Sequence, residues 1–182
     1  MKKEYLNIVD EHDNIISRED REIIHAKGLL HREIHVHFVT RTHEIIFQKR
    51  AKSKDTFPGL LDATVGGHVE IGDSYIESAV KETLEETGVQ ISMADLIPLD
   101  KLHNRQEDRL TGKINQAWQQ EYIYIYKGKL EDLKVEAGKG LGFEKWSLNS
   151  LVKLNEEQKA KFIPYIYKLA STSLVDFVKN KI

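Results

Sequence analysis

Residues 33–40 alternate between polar and apolar, with Ile34, Val36 and Phe38 on one side, the period of two expected of a strand with one face on a core. Residues 44–49 return across a turn at Thr42-His43, so the two segments are predicted to pair as central strands. Ahead of them, residues 5–9 and 14–17 flank Glu11-His12-Asp13 as a small hairpin, and a short helix is predicted near 18–26. Residues 96–103 and 115–126 read as the arms of a long hairpin with a polar, mobile tip at 108–113, and 143–148 as a closing strand. From Asn149 the pattern turns helical. Asn155 caps one segment, and Pro164, which lacks an N–H, must kink or restart the helix before residues 165–179.

The most informative stretch lies between these strands. Residues 67–89, GHVEIGDSYIESAVKETLEETGV, place Glu82, Glu85 and Glu86 three and four positions apart, which puts three carboxylates on one helical face. Like charges at that spacing cost a helix a few tenths of a kcal/mol per pair. A divalent cation reverses the sign, and carboxylate oxygens are preferred ligands of Mg²⁺ and Mn²⁺, commonly together with substrate phosphate oxygens. Ser74 with Glu77 forms a capping box and Gly88 suits a left-handed terminus, so the helix is expected over about 74–87. Ile76, Val80, Thr83 and Leu84 are assigned to a buried stripe facing away from the acidic one.

Gly67, Asp73 and then Lys81-Glu82-Thr83-Leu84-Glu85-Glu86-Thr87-Gly88-Val89 resemble the Nudix box. The resemblance implies an α/β (α+β) fold, a three-layer α/β/α sandwich around a mixed β-sheet, as a single domain over residues 1–182. It implies Mg²⁺ or Mn²⁺ held by Glu82, Glu85, Glu86 and the Gly67 carbonyl, and attack of water on a diphosphate, with the three glutamates as catalytic residues. Three positions depart from the pattern. Asp73 is one methylene short, Lys81 replaces an arginine that steadies the acidic cluster and lacks its planar fork, and Thr83 replaces a bulky aliphatic residue.

Beyond the box, His31, Gln48-Lys49-Arg50-Ala51, Ser53-Lys54-Asp55, Phe57-Pro58-Gly59 and Gly67-His68 resemble the isopentenyl diphosphate isomerase branch of the superfamily. In that branch histidines and glutamates hold the metal, and His25, His31 and His68 are similar to those histidines, His25 one residue out of register. The isomerase's proton-transferring cysteine is Gly66 here. Glycine cannot move a proton, so isomerase chemistry is disfavoured. A distal glutamate expected six residues before Trp146 is Gly140. Glu136 and Glu144 lie near in sequence, and the distal role is left unassigned.

Composition narrows the function classes. With net charge −2, 31% charged and 40% hydrophobic residues, neither disorder nor a general polyanion-binding protein is indicated. At 182 residues one domain burying roughly 70% of its unfolded surface is expected. There is no cysteine, no signal-peptide pattern at the N-terminus and no apolar run near membrane-spanning length, which points to a cytoplasmic protein without a membrane partner. Lys49, Arg50, Lys52 and Lys54 gather where a diphosphate needs positive charge; Lys49, Arg50, His31 and His68 are the expected substrate contacts. His35 and His37 share the face of His31, although nothing else in the sequence closes a metal site around them. The expected activity is metal-dependent hydrolysis of a diphosphate linkage in a nucleoside diphosphate derivative or related small organic diphosphate. A catalytically weak diphosphate-binding module is the alternative, with no specific nucleic acid partner and the choice between monomer and homodimer open.

Overall fold

A computed structural model describes residues 3–54, 56–108 and 111–181; Asp55 of the isomerase-like stretch, and Arg109 and Leu110 of the expected tip, lie outside the described residues. β1 (Tyr5–Val9) and β2 (Ile15–Asp20) form the small antiparallel hairpin. Strand β2 runs three residues farther than expected and ends on Asp20, whose carboxylate accepts the Glu22 N–H. That cap starts α1 (Arg21–Lys27) later than the sequence suggested.

The main sheet comprises β3 (His31–Thr40), β4 (Glu44–Arg50), β5 (Leu61–Asp62), β6 (Val65–His68), β7 (Leu96–Glu107), β8 (Ile114–Tyr126) and β9 (Gly140–Ser147). β3 and β4 pair antiparallel, Phe38 opposite Ile46, across the turn at His43. On its other edge β3 runs parallel to β8 from His31↔Ala117 to Thr40↔Tyr126. β7 is antiparallel to β8, β9 to β4, and β6 to the first half of β3. The sheet is therefore mixed, as expected.

Two apolar clusters lie on its two faces. Ile34, Val36, Phe38, Ile46 and Val65 pack with Ala79 of α2 (Tyr75–Thr87). On the opposite face Val39, Ile45, Phe47 and Ile123 pack with Leu151 of α3 (Leu148–Leu151) and Phe162, which follows α4 (Glu156–Lys159). Ile166 of α5 (Pro164–Leu169), Leu174 of a π-helical turn (Ala170–Leu174) and Val178 of α6 (Val175–Lys181) complete that layer. Pro164 restarts the helix as its first residue, where a missing N–H is harmless. Each large side chain so buried contributes about 1.5–3 kcal/mol, and the layering is α/β/α. No helix among the described residues is long and apolar enough to cross a membrane.

Two local expectations are corrected. Leu84 is 49% exposed, and the buried residues of α2 are Ser78, Ala79, Glu82, Thr83, Glu86 and Thr87. At 100° per residue Glu82 and Glu86 flank Ala79 and Thr83, so the carboxylates point toward the sheet and Leu84 falls outside the seam. At the hairpin tip, Asp108 is 3% exposed. Its carboxylate accepts from the Phe57 N–H and the Thr111 hydroxyl, both at 2.9 Å, which ties Asp108 and Thr111 to the loop after β4.

Candidate active site

Helix α2 is fixed at both ends by its sequence: Ser74 and Glu77 make the reciprocal capping box, and Gly88 closes it with a left-handed φ of 70°. This holds Glu82 and Glu86 under β6. There the backbone passes so close that a Cβ on Gly67 would lie 2.5 Å from Glu82 Cδ, a gap only glycine allows. Glu86 Oε2 accepts from the Gly66 N–H and from Gln48 Nε2, each at 3.3 Å. Glu82 Oε2 is buried and accepts no hydrogen bond.

Lys139 supplies the counter-charge, its Nζ lying 3.5 Å from Glu82 Oε2, 3.5 Å from Glu86 Oε1 and 3.4 Å from Glu136 Oε2. Burial pushes the Glu82 carboxyl up to about 7, against the pull of Lys139 and with Glu86 and Glu85 adding like charge. Burial likewise raises Glu86, and Lys139 opposes it. A buried carboxylate oxygen without a hydrogen bond, beside a second buried carboxylate, is an all-oxygen donor set that suits a hard divalent cation. Gly67→Ala is expected to push Glu82 aside, destabilising the fold by about 1–3 kcal/mol and weakening Mn²⁺ binding. Urea unfolding together with Mn²⁺ titration checks this, and a variant with wild-type values on both would show that the close approach is unimportant.

Glu82 and Gly67 open onto a cavity of about 540 Å³, which Arg50, Lys54, Phe57, His68 and Lys139 also line. At one end His25, His31, Glu33 and His68 offer ligand atoms that all lie within 4.8 Å of one another. His25 Nε2 is 3.3 Å from His68 Nε2, and Glu33 Oε1 lies 3.4 Å from His31 Nε2 and 3.5 Å from His68 Nε2. The outer contacts orient this cluster. His31 Nδ1 is 3.0 Å from the Leu29 carbonyl, to which it donates, leaving Nε2 directed at the cluster. Asn115 and Gln119 donate to the Glu33 carboxylate. Three imidazoles and one carboxylate suit a borderline transition ion.

Nearby, a residue from β8 closes the site that the sequence left open around His35 and His37. Glu121, fully buried, accepts from His35 Nδ1 at 3.1 Å, His37 Nε2 at 2.7 Å and the Tyr165 hydroxyl at 2.7 Å. Burial opposes a charge on His35, but Glu121 outweighs it and the imidazole is raised to about 9. Glu121 itself is held well below the usual carboxylate range by the two histidines, despite its burial.

The sequence model of the NUDIX domain matches residues 29–169. The chain belongs to the Nudix hydrolase family. It is 31% identical over 166 residues to an uncharacterized Nudix hydrolase of Clostridium acetobutylicum, which spans 90% of this chain and 75% of that protein. Among solved structures it is similar to a Deinococcus radiodurans protein, with TM-score 0.65 and 20% identity over 97% of this chain and 98% of that one. It also resembles the Nudix domain of Shewanella oneidensis NrtR complexed with ADP-ribose, with TM-score 0.52 and 15% identity over 69% of this chain and 77% of that one. Both structural likenesses concern the fold.

Of the Nudix residues expected from sequence, Gly67, Glu82 and Glu86 converge, and Arg50 and His68 line the cavity together with Gly67 and Glu82. Glu85 is exposed and does not line the cavity. Lys49 is exposed between Gln48 and Arg50 and is not on the cavity wall, and His31 is wholly buried in the histidine cluster. Arg50 is committed internally: Nε and Nη2 donate to the Thr56 carbonyl and Nη1 to Asp62 at 2.7 Å, holding the loop after β4. Lys81, in place of the box arginine, reaches Glu70 rather than the acidic cluster. A side chain at Gly140 would crowd Val135 at 3.1 Å and Gln48 at 3.2 Å, so Gln48 fills that space. Sequence reasoning missed Glu33, Glu121 and Lys139. Only Glu33 carried a signal, its parity with His31 on one strand face.

Proposed function

We propose that this Nudix hydrolase cleaves a diphosphate linkage in a nucleoside diphosphate derivative or related small organic diphosphate. Mg²⁺ or Mn²⁺ would be held by Glu82 and Glu86, with Glu85 from the exposed side of the same helix and the Gly67 carbonyl from β6. The observation that carries this reading is the buried Glu82–Glu86 pair, of which Glu82 opens onto a cavity that Arg50, Lys54 and Lys139 also line. Nudix enzymes generally use divalent ions, and such an ion polarises phosphate and lowers the pKa of bound water. The chain's own residues do the rest. The close approach at Gly67 fixes the Glu82 carboxylate, Gln48 and the Gly66 N–H orient Glu86, Lys54 gives the cavity positive charge for diphosphate oxygens, and Arg50 holds the loop that carries it.

A screen of ADP-ribose, nucleoside diphosphates, dinucleotides and isoprenoid diphosphates with Mg²⁺ and Mn²⁺ tests this. Phosphate release that EDTA abolishes is the expected result. Calorimetric binding of these compounds without any release would instead support a diphosphate-binding module, the reading motivated by Asp73, Lys81 and Gly140.

The histidine cluster favours a second reading of its own. His25, His31 and His68, the histidines that the isomerase resemblance singled out, lie together with Glu33, which it did not, and we infer a second, borderline ion there. The cavity wall at residue 66 is bare backbone, and a Cβ added there would meet the His35 ring at 3.1 Å, so the isomerase's proton carrier has no counterpart at that position. Conversion of isopentenyl diphosphate to its dimethylallyl isomer by the purified chain would overturn that exclusion.

A further inference from the structure

Lys139 meets three carboxylates at once, and no other lysine contacts the Nudix glutamates among the described residues. Its backbone is pinned. The Lys139 N–H donates to the Glu136 carbonyl, Gly138 takes a left-handed φ of 82°, and the Lys139 carbonyl accepts from the Ala51 N–H at 3.1 Å. The side chain is 30% exposed, so its flexible stem has solvent to swing into. At 3.4–3.5 Å the contacts are ion pairs rather than tight hydrogen bonds. The ammonium therefore holds the carboxylates mainly by charge.

We propose that Lys139 is a tethered counter-ion of the Nudix carboxylates, which a divalent cation must displace in order to bind there. The proposal rests on the reading that Glu82 and Glu86 are metal ligands. A divalent ion seated on Glu82 Oε2 and an ammonium 3.5 Å from that same oxygen repel each other at short range in a partly desolvated site. The two cations are alternatives. Lys81, paired with Glu70 at the surface, does not join this competition, and Glu136 gives the departing end of Lys139 a partner outside the Glu82–Glu86 pair. Metal occupancy then has a threshold built into the chain, and without metal the lysine keeps two buried carboxylates compensated.

The test is Mn²⁺ binding, followed by electron paramagnetic resonance, in the full chain and in Lys139→Gln, each compared with its Glu82→Gln counterpart to isolate the Glu82-dependent ion. Lys139→Gln is expected to bind that ion about tenfold more tightly, and Lys139→Arg to bind it as the wild type does. Lys139→Met repeats the test with a second neutral side chain should Lys139→Gln fold poorly. In EDTA the neutral variants are expected to melt below the wild type, and saturating Mn²⁺ to erase that difference. Equal Glu82-dependent affinity in wild type and neutral variants, or tight binding by Lys139→Arg, overturns the proposal and leaves the carboxylate site standing. Absence of any Glu82-dependent ion in all of these proteins overturns both.

Discussion

Replacing Glu86 or Glu82 by glutamine is expected to lower diphosphate hydrolysis roughly a thousandfold while the protein stays folded. Glutamine keeps the shape of the side chain and removes its charge. The loss should appear in kcat, because the charge these residues recruit acts on the reacting phosphate. Stability should move little or upward. Burial raises both carboxyls above their ordinary value of 4.5, so the fold disfavours their ionised forms. For Glu82 this penalty is absent below pH 4.5 and develops as pH rises toward about 7. At pH 8 the Glu82→Gln protein escapes it and loses only the attraction to Lys139. Glu85, which is exposed, is expected to give the smallest change of the three when made glutamine. Turnover assays and thermal melts at pH 8 separate the cases. Undiminished hydrolysis in both buried variants rejects the assignment, and a melting point falling in step with activity makes the two glutamates structural.

The physical reason for that assignment was only half legible in the chain. Capping chemistry is local, so Ser74, Glu77 and Gly88 marked the helix correctly. Alternation is local too, which is why β3, β4 and the arms of β7 and β8 could be read directly. The two short strands β5 and β6 were invisible, because neither is long enough to carry a period and the paired glycines of β6 carry no strand propensity. The face of α2 was misread for a different reason. Hydropathy put Leu84 inside, whereas the fold turned the glutamates toward β6 and matched them with Lys139 from the segment before β9. That match joins residues more than fifty positions apart, and no pattern within either segment encodes it. The same holds for Glu121, which meets His35 only through the parallel pairing of β3 with β8.

Glu121→Gln is therefore expected to destabilise the fold by about 3–5 kcal/mol, the effect of removing one partner from a buried ion pair. Two histidines and Tyr165 all direct a hydrogen toward this one carboxylate. A neutral amide cannot compensate a charged His35, and its NH₂ group opposes one of the three donors. The effect carries a pH signature. His35 is raised from 6.5 to about 9, so its share of the stability is complete below pH 6.5 and is lost as pH rises through about 9. Glu121 is depressed below 4.5, so its share is complete above pH 4.5 and is lost as pH falls through its lower folded value. Between about pH 4.5 and 6.5 both are fully present. The gap between wild type and Glu121→Gln, measured by urea unfolding, should be widest in that window and narrow toward pH 9. Tyr165→Phe deletes a single bond to the carboxylate and should cost about 1.5–3 kcal/mol. A gap below about 1 kcal/mol that ignores pH would mean that His35 is neutral in the folded protein and that Glu121 only packs. With the predicted gap, the pair is a buried ionic brace that fixes His35 and Tyr165 in the cavity wall.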